Sequence, residues 1–497
     1  MAADTFRILV LGDLSGRANR GAAGEGLGNR RPRRVDRDDL ETALAAMAAS
    51  LRLPAPGGGT VTLRFASLAD FRPEAVVRQV ETLSRLAALR TRLMTPATFG
   101  AASEEMLAWG IAAPAAAPKA PPPAQPKAPV SDASLFDQIL GEATVAEEVA
   151  AVVAAPQAAD EVASLIREVA GPGLAALRTP GRHPRQDEYV AQVDAVISAA
   201  LGPILHHPDF QALESVWRSL QRLVRRIDTG GGLDVYVLDA TRMELARDLG
   251  VSGDFSRSAL HRIVVEEVLS VPNAKPWTLL LGAYALDATA ADVSLLLRAA
   301  KVARAGGAAF LAGADGRLVG CTDIAASTDP DDWMHEGEAA GRDFLDAFRR
   351  FPEARSAALV WPRVLLRATY GQDSDEAEGL GYEETARPLP HAGHLWGNGA
   401  FLVAEMLAEA WTREPSDLRS ALEADRDGFP AVYRDDDGDR ALVACAEAYL
   451  PERALAAIRE RGVIALASHR GSTTVRVASL VSLASPDAEL AGPWAQD

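Results

Sequence analysis

Between residues 112 and 129 the chain is almost wholly Pro, Ala and Lys, with prolines at Pro114, Pro118, Pro121, Pro122, Pro123, Pro126 and Pro129. Proline donates no backbone N–H and favours extended polyproline II, so such a tract supplies neither a core helix nor a ladder strand. It therefore divides the 497 residues into two unequal pieces. The expected organisation is a first domain over 1–110, a Pro/Ala-rich linker over 111–130, a helical segment over 131–200 and a larger domain over 201–497.

Composition bounds what these pieces do. The chain is 48% hydrophobic and 24% charged, enough apolar residue for substantial cores. Its net charge of −17 argues against nucleic acid or an anionic membrane surface as a partner, since both need a positive field. The local exception, Arg30-Arg31-Pro32-Arg33-Arg34, is flanked by Asp36, Asp38 and Asp39 and reads as a solvated loop. The two cysteines, Cys321 and Cys445, make no metal-binding spacing and fit a reducing, cytoplasmic setting. No basic-then-apolar leader opens the chain, and no apolar run of about 20 residues is seen, so no membrane insertion is expected.

The periodicities alternate between strand and helix. Phe6–Leu11 (FRILVL) is a short continuous apolar run ending at the turn-forming Gly12-Asp13-Leu14-Ser15-Gly16, the pattern of a strand buried on both faces. Asp36 opens a helix carrying Leu40, Leu44, Met47 and Leu51. Thr60–Phe65 alternates as a half-buried strand. A helix then starts at Pro73, with a stripe of Val76, Val77, Val80, Leu83, Leu86 and Leu89. Beyond the Pro/Ala tract, Ser131 or Asp132 caps a short helix bearing Leu135, Phe136, Ile139 and Leu140, and residues 142–170 have helical composition. Two helical stretches cover 187–227. Strands are expected at 233–238, 278–281, 308–312, 357–361, 442–446 and 474–483, with helices at 291–303, 399–412 and 451–461. This alternation predicts a mixed α/β (α+β) fold.

The residues that carry chemistry do not converge. No phosphate-binding GxxxxGK[ST], dinucleotide GxGxxG or GxSxG nucleophile elbow occurs. His335-Glu336-Gly337-Glu338-Ala339 starts like a zinc motif but has Ala where the second histidine belongs. Adjacent His206 and His207 diverge by about 100° on a helix and suit a helix end instead. Asp435-Asp436-Asp437-Gly438-Asp439 has acidic spacing, but Arg440 and Ala446 stand where a calcium loop needs Gly and Glu, so a hairpin turn is expected. Trp217, Trp277, Trp361 and Trp396 read as core anchors. No catalytic residue, cofactor site or metal site is assigned, and the chain is read as a non-enzyme.

Several blocks do resemble a known family. Ile8–Gly16, Val35–Leu40 and especially Leu63–Val80, with its Phe65-Ala-Ser67-Leu-Ala-Asp70-Phe71-Arg-Pro73 core, resemble the small sheath subunit of type VI secretion systems (the TssB/VipA/ImpB family), over residues 6–95. Ile204–Leu220, Leu281–Tyr284, Ala308–Ala312, Leu359–Arg363 with Tyr370-Gly371, Trp396–Ala400 and Leu466–Gly471 resemble the large sheath subunit (the TssC/VipB/ImpC family), over residues 131–485.

The resemblance implies a small-subunit-like sheath domain joined to a larger α/β sheath-type domain, a fusion of two structural subunits. It implies a cytoplasmic contractile assembly and, as partners, sheath subunits or further copies of the chain, the inner tube, and a ClpV-type unfoldase gripping the helix with Leu135, Phe136, Ile139 and Leu140. Little sequence precedes Phe6 or follows Leu483, where the family exchanges strands between neighbours. The chain is therefore expected to lack those arms and not to build long tubes alone. That leaves a second reading, an assembly regulator or end-cap that binds sheath subunits without polymerising.

Overall fold

The computed structural model describes residues 5–22, 24, 26–112, 183–250, 254–335, 337–386, 389–413, 424–436, 439–484 and 488–494. The strands are β1 Phe6–Gly12, β2 Arg33–Val35, β3 Ala49–Pro54, β4 Thr60–Phe65, β5 Leu233–Asp239, β6 Leu279–Leu286, β7 Ala309–Ala314, β8 Ala357–Trp361, β9 Val364–Leu365, β10 Trp396–Gly397, β11 Tyr433–Asp436, β12 Asp439–Leu442, β13 Val463–Ser468 and β14 Val475–Val477. Eight of them form one sheet in the order β14-β13-β8-β7-β6-β1-β5-β2. The six inner strands pair in parallel, and only the edge strands β2 and β14 run antiparallel.

β1 lies inside this sheet. It pairs with β5 from Phe6↔Leu233 to Gly12↔Asp239 and with β6 from Ile8↔Leu279 to Leu11↔Gly282. An apolar run with Ile8, Leu9, Val10 and Leu11 all buried needs a strand on each edge and cover on both faces. Leu9 and Leu11 join the core shared with helix Ala290–Ala305, while helix Ala400–Arg413 packs on β6, β7 and β8.

The chain divides into two compact units, one of Met1–Arg85 with Val196–Asp497 and one of Leu86–Ala195. The expected boundary at residue 110 falls within the second of these units. The first strand of the expected first domain belongs to a sheet whose other inner strands all follow residue 232. The expected linker over 111–130 and most of the helical segment over 131–200 lie outside the described residues. In the second unit, Gln186 donates to the Leu93 carbonyl at 2.6 Å, Arg90 pairs with Asp194, and Phe99 stacks on His183 with centroids 4.5 Å apart.

Several local expectations change. The helix after Asp36 is short, Leu40–Ala46, because Ala48 turns to φ 48° and the chain continues as β3 with Ala49, Leu51 and Leu53 buried. The helix from Pro73 stops at Gln79, where Val80 is extended, and a second helix runs Glu81–Met94. Arg33 and Arg34 are not loop residues; with Val35 they form β2. Of the strand expected over 442–446 only Leu442, the last residue of β12, is in a strand, while that expected over 474–483 is confined to β14, and β13 lies between. Helix Gln186–Leu205 is, by length and composition, apolar enough to cross a membrane, contrary to the expectation of no such run. Its buried residues Val193, Ile197, Leu201, Ile204 and Leu205 recur at helical spacing, the stripe of a core-facing helix.

Candidate functional site

In an open parallel sheet, ligands bind at the strands' C-terminal ends where the strand order reverses direction. Here that point is β1, whose successors β5 and β6 lie on opposite sides of it. The loop leaving β1 and the loop leaving β5 meet at this end, and the chain's own side chains fill it. The Asp239 carboxylate accepts from the Leu14 N–H at 2.8 Å, the Ser15 N–H at 3.3 Å and the Ser15 hydroxyl at 2.7 Å. Burial raises its pKa, against these hydrogen bonds, which lower it. Asp13 caps the next turn by accepting from the N–H groups of Arg17 and Ala18.

Glu244, fully buried, anchors the centre. Thr241 and Glu244 hydrogen-bond reciprocally, the Thr241 N–H to Glu244 Oε2 at 2.9 Å and the Glu244 N–H to the Thr241 hydroxyl at 3.1 Å. Its carboxylate then accepts from Arg17 and Arg30 at 2.5–3.2 Å. Burial alone would raise the Glu244 pKa, but bonds from Arg30, Thr241 and Arg17 bring it down to about 2. Arg30, expected in a solvated loop, instead spends its guanidinium here because a buried carboxylate requires a charged partner.

The blocks that carry the family resemblance meet one another directly. Phe65 and Phe71 stack at 4.2 Å, and each sets its edge against Phe210 at 5.7 Å. Ser67 and Asp70 form a capping box that turns the chain, and Pro73 takes the first helical position. His207 caps helix Pro208–Arg226 through the Asp209 N–H. From that helix Trp217 donates its indole N–H to the Leu14 carbonyl at 2.8 Å. Arg72 reaches Asp375 at 2.9 Å and the Glu376 carbonyl at 2.7 Å.

A second buried network lies behind Arg72. Arg367 forks onto Glu384 at 2.7 and 2.9 Å, its Nε stands 3.4 Å from Glu214, and its guanidinium covers the Tyr370 ring. Glu384 also accepts from the Tyr370 N–H and meets His206 Nε2 at 2.8 Å. Burial works against the charge, but Arg367 and His206 hold the Glu384 pKa at about 2. Each acid already has its cation, so this is a fixed structural network and not a poised acid–base pair.

The four tryptophans singled out as anchors, Trp217, Trp277, Trp361 and Trp396, are all buried. His206 and His207 sit at a helix junction as expected; Asp435 and Asp436 pair with Arg440 and Asp439 across β11 and β12, and the turn residues Asp437 and Gly438 lie outside the described residues. Among the described residues no group of three or more His, Cys, Asp or Glu is placed to hold a metal. Leu135, Phe136, Ile139 and Leu140 lie outside the described residues. The residues that sequence reading missed are Arg17, Arg30, Asp239 and Glu244; only the Thr241-x-x-Glu244 capping pattern was visible in advance.

Comparison with known proteins agrees with this geometry. Residues 187–484 match the VipB family, the EvpB-type tail sheath N-terminal domain, and residues 5–99 match the type VI secretion system VipA family. The chain is 27% identical over 313 residues to the type VI secretion system sheath protein TssC1 of Pseudomonas aeruginosa. That match covers 60% of this chain and 61% of the relative, so the chain spans about three-fifths of the curated relative's length.

Proposed function

The chain belongs to the type VI secretion tail-sheath family, and from that premise we propose that it is a structural sheath component in which both subunit types are fused into one protomer. The observation that carries this reading is β1, the first strand of the VipA-matching segment, inserted between β5 and β6 of the VipB-matching segment. A strand shared in this way makes the two segments one folding unit, with a fixed one-to-one ratio. The function is assembly, with energy from apolar burial at about 25 cal/mol per Å² of surface removed from water, and no catalysis is proposed.

Its partners in this reading are sheath subunits or further copies of itself, in the cytoplasm. The same reading proposes an inner tube inside the sheath and a ClpV-type unfoldase acting on Leu135, Phe136, Ile139 and Leu140. Electron microscopy of the purified full-length chain, alone and mixed with separate sheath subunits, tests the proposal. Tubes, or incorporation into tubes of the separate subunits, are expected. Shortened tubes with the chain at one end would select the end-cap form of the reading. A chain that stays monomeric and never co-sediments with sheath subunits would overturn it.

A further inference from the structure

The β3–β4 hairpin has two outer edges, and the chain treats them differently. The edge of β3 is closed from within: the Ser50 N–H donates to the Ser15 carbonyl at 3.2 Å, and the Asn19 carboxamide both accepts from the Arg52 N–H at 2.7 Å and donates to the Arg52 carbonyl at 3.1 Å. Among the described residues the edge of β4 has only Gln79. Its Oε1 accepts from the Arg64 N–H at 2.8 Å, and its Nε2 donates to the Arg64 carbonyl at 3.1 Å. A carboxamide making both bonds to one residue offers the donor and acceptor that one residue of a neighbouring strand would offer.

Among the described residues the rest of that edge is open. By the two-residue alternation, Thr62 presents its N–H and C=O to the same side as Arg64, and neither has a partner among the described residues on that side. Among the described residues β4 pairs with β3 alone. An unpaired edge of this kind is a template for another strand. Beside it runs an open cleft of about 450 Å³ whose alanines Ala45, Ala48, Ala66 and Ala75 leave room for side chains, with Arg64 and Arg78 on its rim. Both arginines are exposed, and neither has a carboxylate partner among the described residues. The one acid lining the cleft, Asp70, is occupied by the N–H groups of Ala66 and Ser67 and the Ser67 hydroxyl.

We propose that the outer edge of β4 accepts an extended, acidic strand from another polypeptide, with Gln79 as its placeholder. An incoming residue displaces the carboxamide and remakes its two hydrogen bonds at Arg64, an exchange with little net cost. The affinity then comes from the added pairing at Thr62 and from carboxylates meeting Arg64 and Arg78. This inference stands apart from the sheath reading, and its failure would leave that reading intact.

The test is fluorescence anisotropy on the full-length chain with a fluorescein-labelled Glu-Val-Glu-Val-Glu-Val peptide and its Lys-Val counterpart. The acidic peptide is expected to bind and the basic one not. Gln79→Ala, which removes the internal competitor, should tighten binding about threefold or more, and Thr62→Pro, which deletes an outward N–H without touching the ladder to β3, should weaken it about tenfold. If Thr62→Pro disturbs the hairpin by circular dichroism, the surface pair Arg64→Glu with Arg78→Glu carries the test, with loss of the acidic peptide expected. No binding of the acidic peptide to either the wild type or Gln79→Ala would overturn the proposal. So would undiminished binding to a natively folded Thr62→Pro, or to the double charge-reversal variant.

Discussion

The indole N–H of Trp217 donates to the backbone carbonyl of Leu14 at 2.8 Å, joining residues 203 positions apart in the chain. Both partners are fully buried, so neither finds water if the other is removed. Trp217→Phe keeps most of the aromatic volume but leaves that carbonyl unpaired, and should cost about 1–3 kcal/mol. Trp217→Ala adds a cavity and should cost about 3–5 kcal/mol. Urea denaturation of the two variants checks the order; equal, negligible losses would mean the bond does not hold the β1 loop.

Acid should loosen the same region. The folded pKa of Glu244, about 2, lies below its ordinary 4.5. Its contribution is therefore complete above about 4.5 and is lost as pH falls towards 2. Glu244→Gln should be destabilised at neutral pH by about 3–5 kcal/mol, because Arg17 and Arg30 lose their buried counter-charge. It should also show a shallower fall in stability across that acid window, measured by denaturant titration at several pH values. An unchanged slope would place the acid sensitivity at Glu384 and Glu447, whose pKa values are likewise held at about 2.

Cutting the chain should not separate it. With a protease site inserted after Pro123, the fragments on either side of the cut should co-elute on gel filtration and part only in denaturant. A fragment beginning after the cut and expressed alone would present the facing edges of β5 and β6 without β1, and should aggregate. Clean separation of the two pieces under native conditions would contradict the shared sheet.

The unfoldase reading has its own test. Phe136→Ser with Leu140→Ser should abolish binding of a ClpV-type unfoldase while leaving the melting temperature unchanged. A large drop in melting temperature would assign those side chains to packing within this chain instead.

Much of the architecture was legible in the sequence. β1, β4, β5, β8, the helices over 186–226 and helix Ala290–Ala305 follow from apolar period and capping residues. β3 was not, because Met47 and Leu51 are four apart, a spacing that fits one face of a helix and one face of a strand alike; the left-handed Ala48 between them decides. β13 went unread although Val463–Ala467 is a continuous apolar run after Gly462. The site was least legible. That β1 pairs with β5 and β6 leaves no local trace, since a parallel pairing between distant segments has no hairpin turn to announce it. Arg30 and Glu244 likewise look like ordinary surface charges until the fold buries one beside the other.

The position of β1 also sets an order of events during synthesis. Phe6 leaves the ribosome long before Leu233, its register partner, is made. At usual elongation rates of about 5–20 residues per second, the wait is on the order of 10–50 s. Through that interval an apolar strand stands in the nascent chain without either of its neighbours, and of the described strands only β2, β3 and β4 have been made. Completion of the sheet is a long-range, late closure, the slow kind in which non-local pairings dominate. A single chain supplies the missing neighbours at a concentration fixed by its own connectivity, whereas two separate polypeptides would have to find each other by diffusion with that strand unpaired.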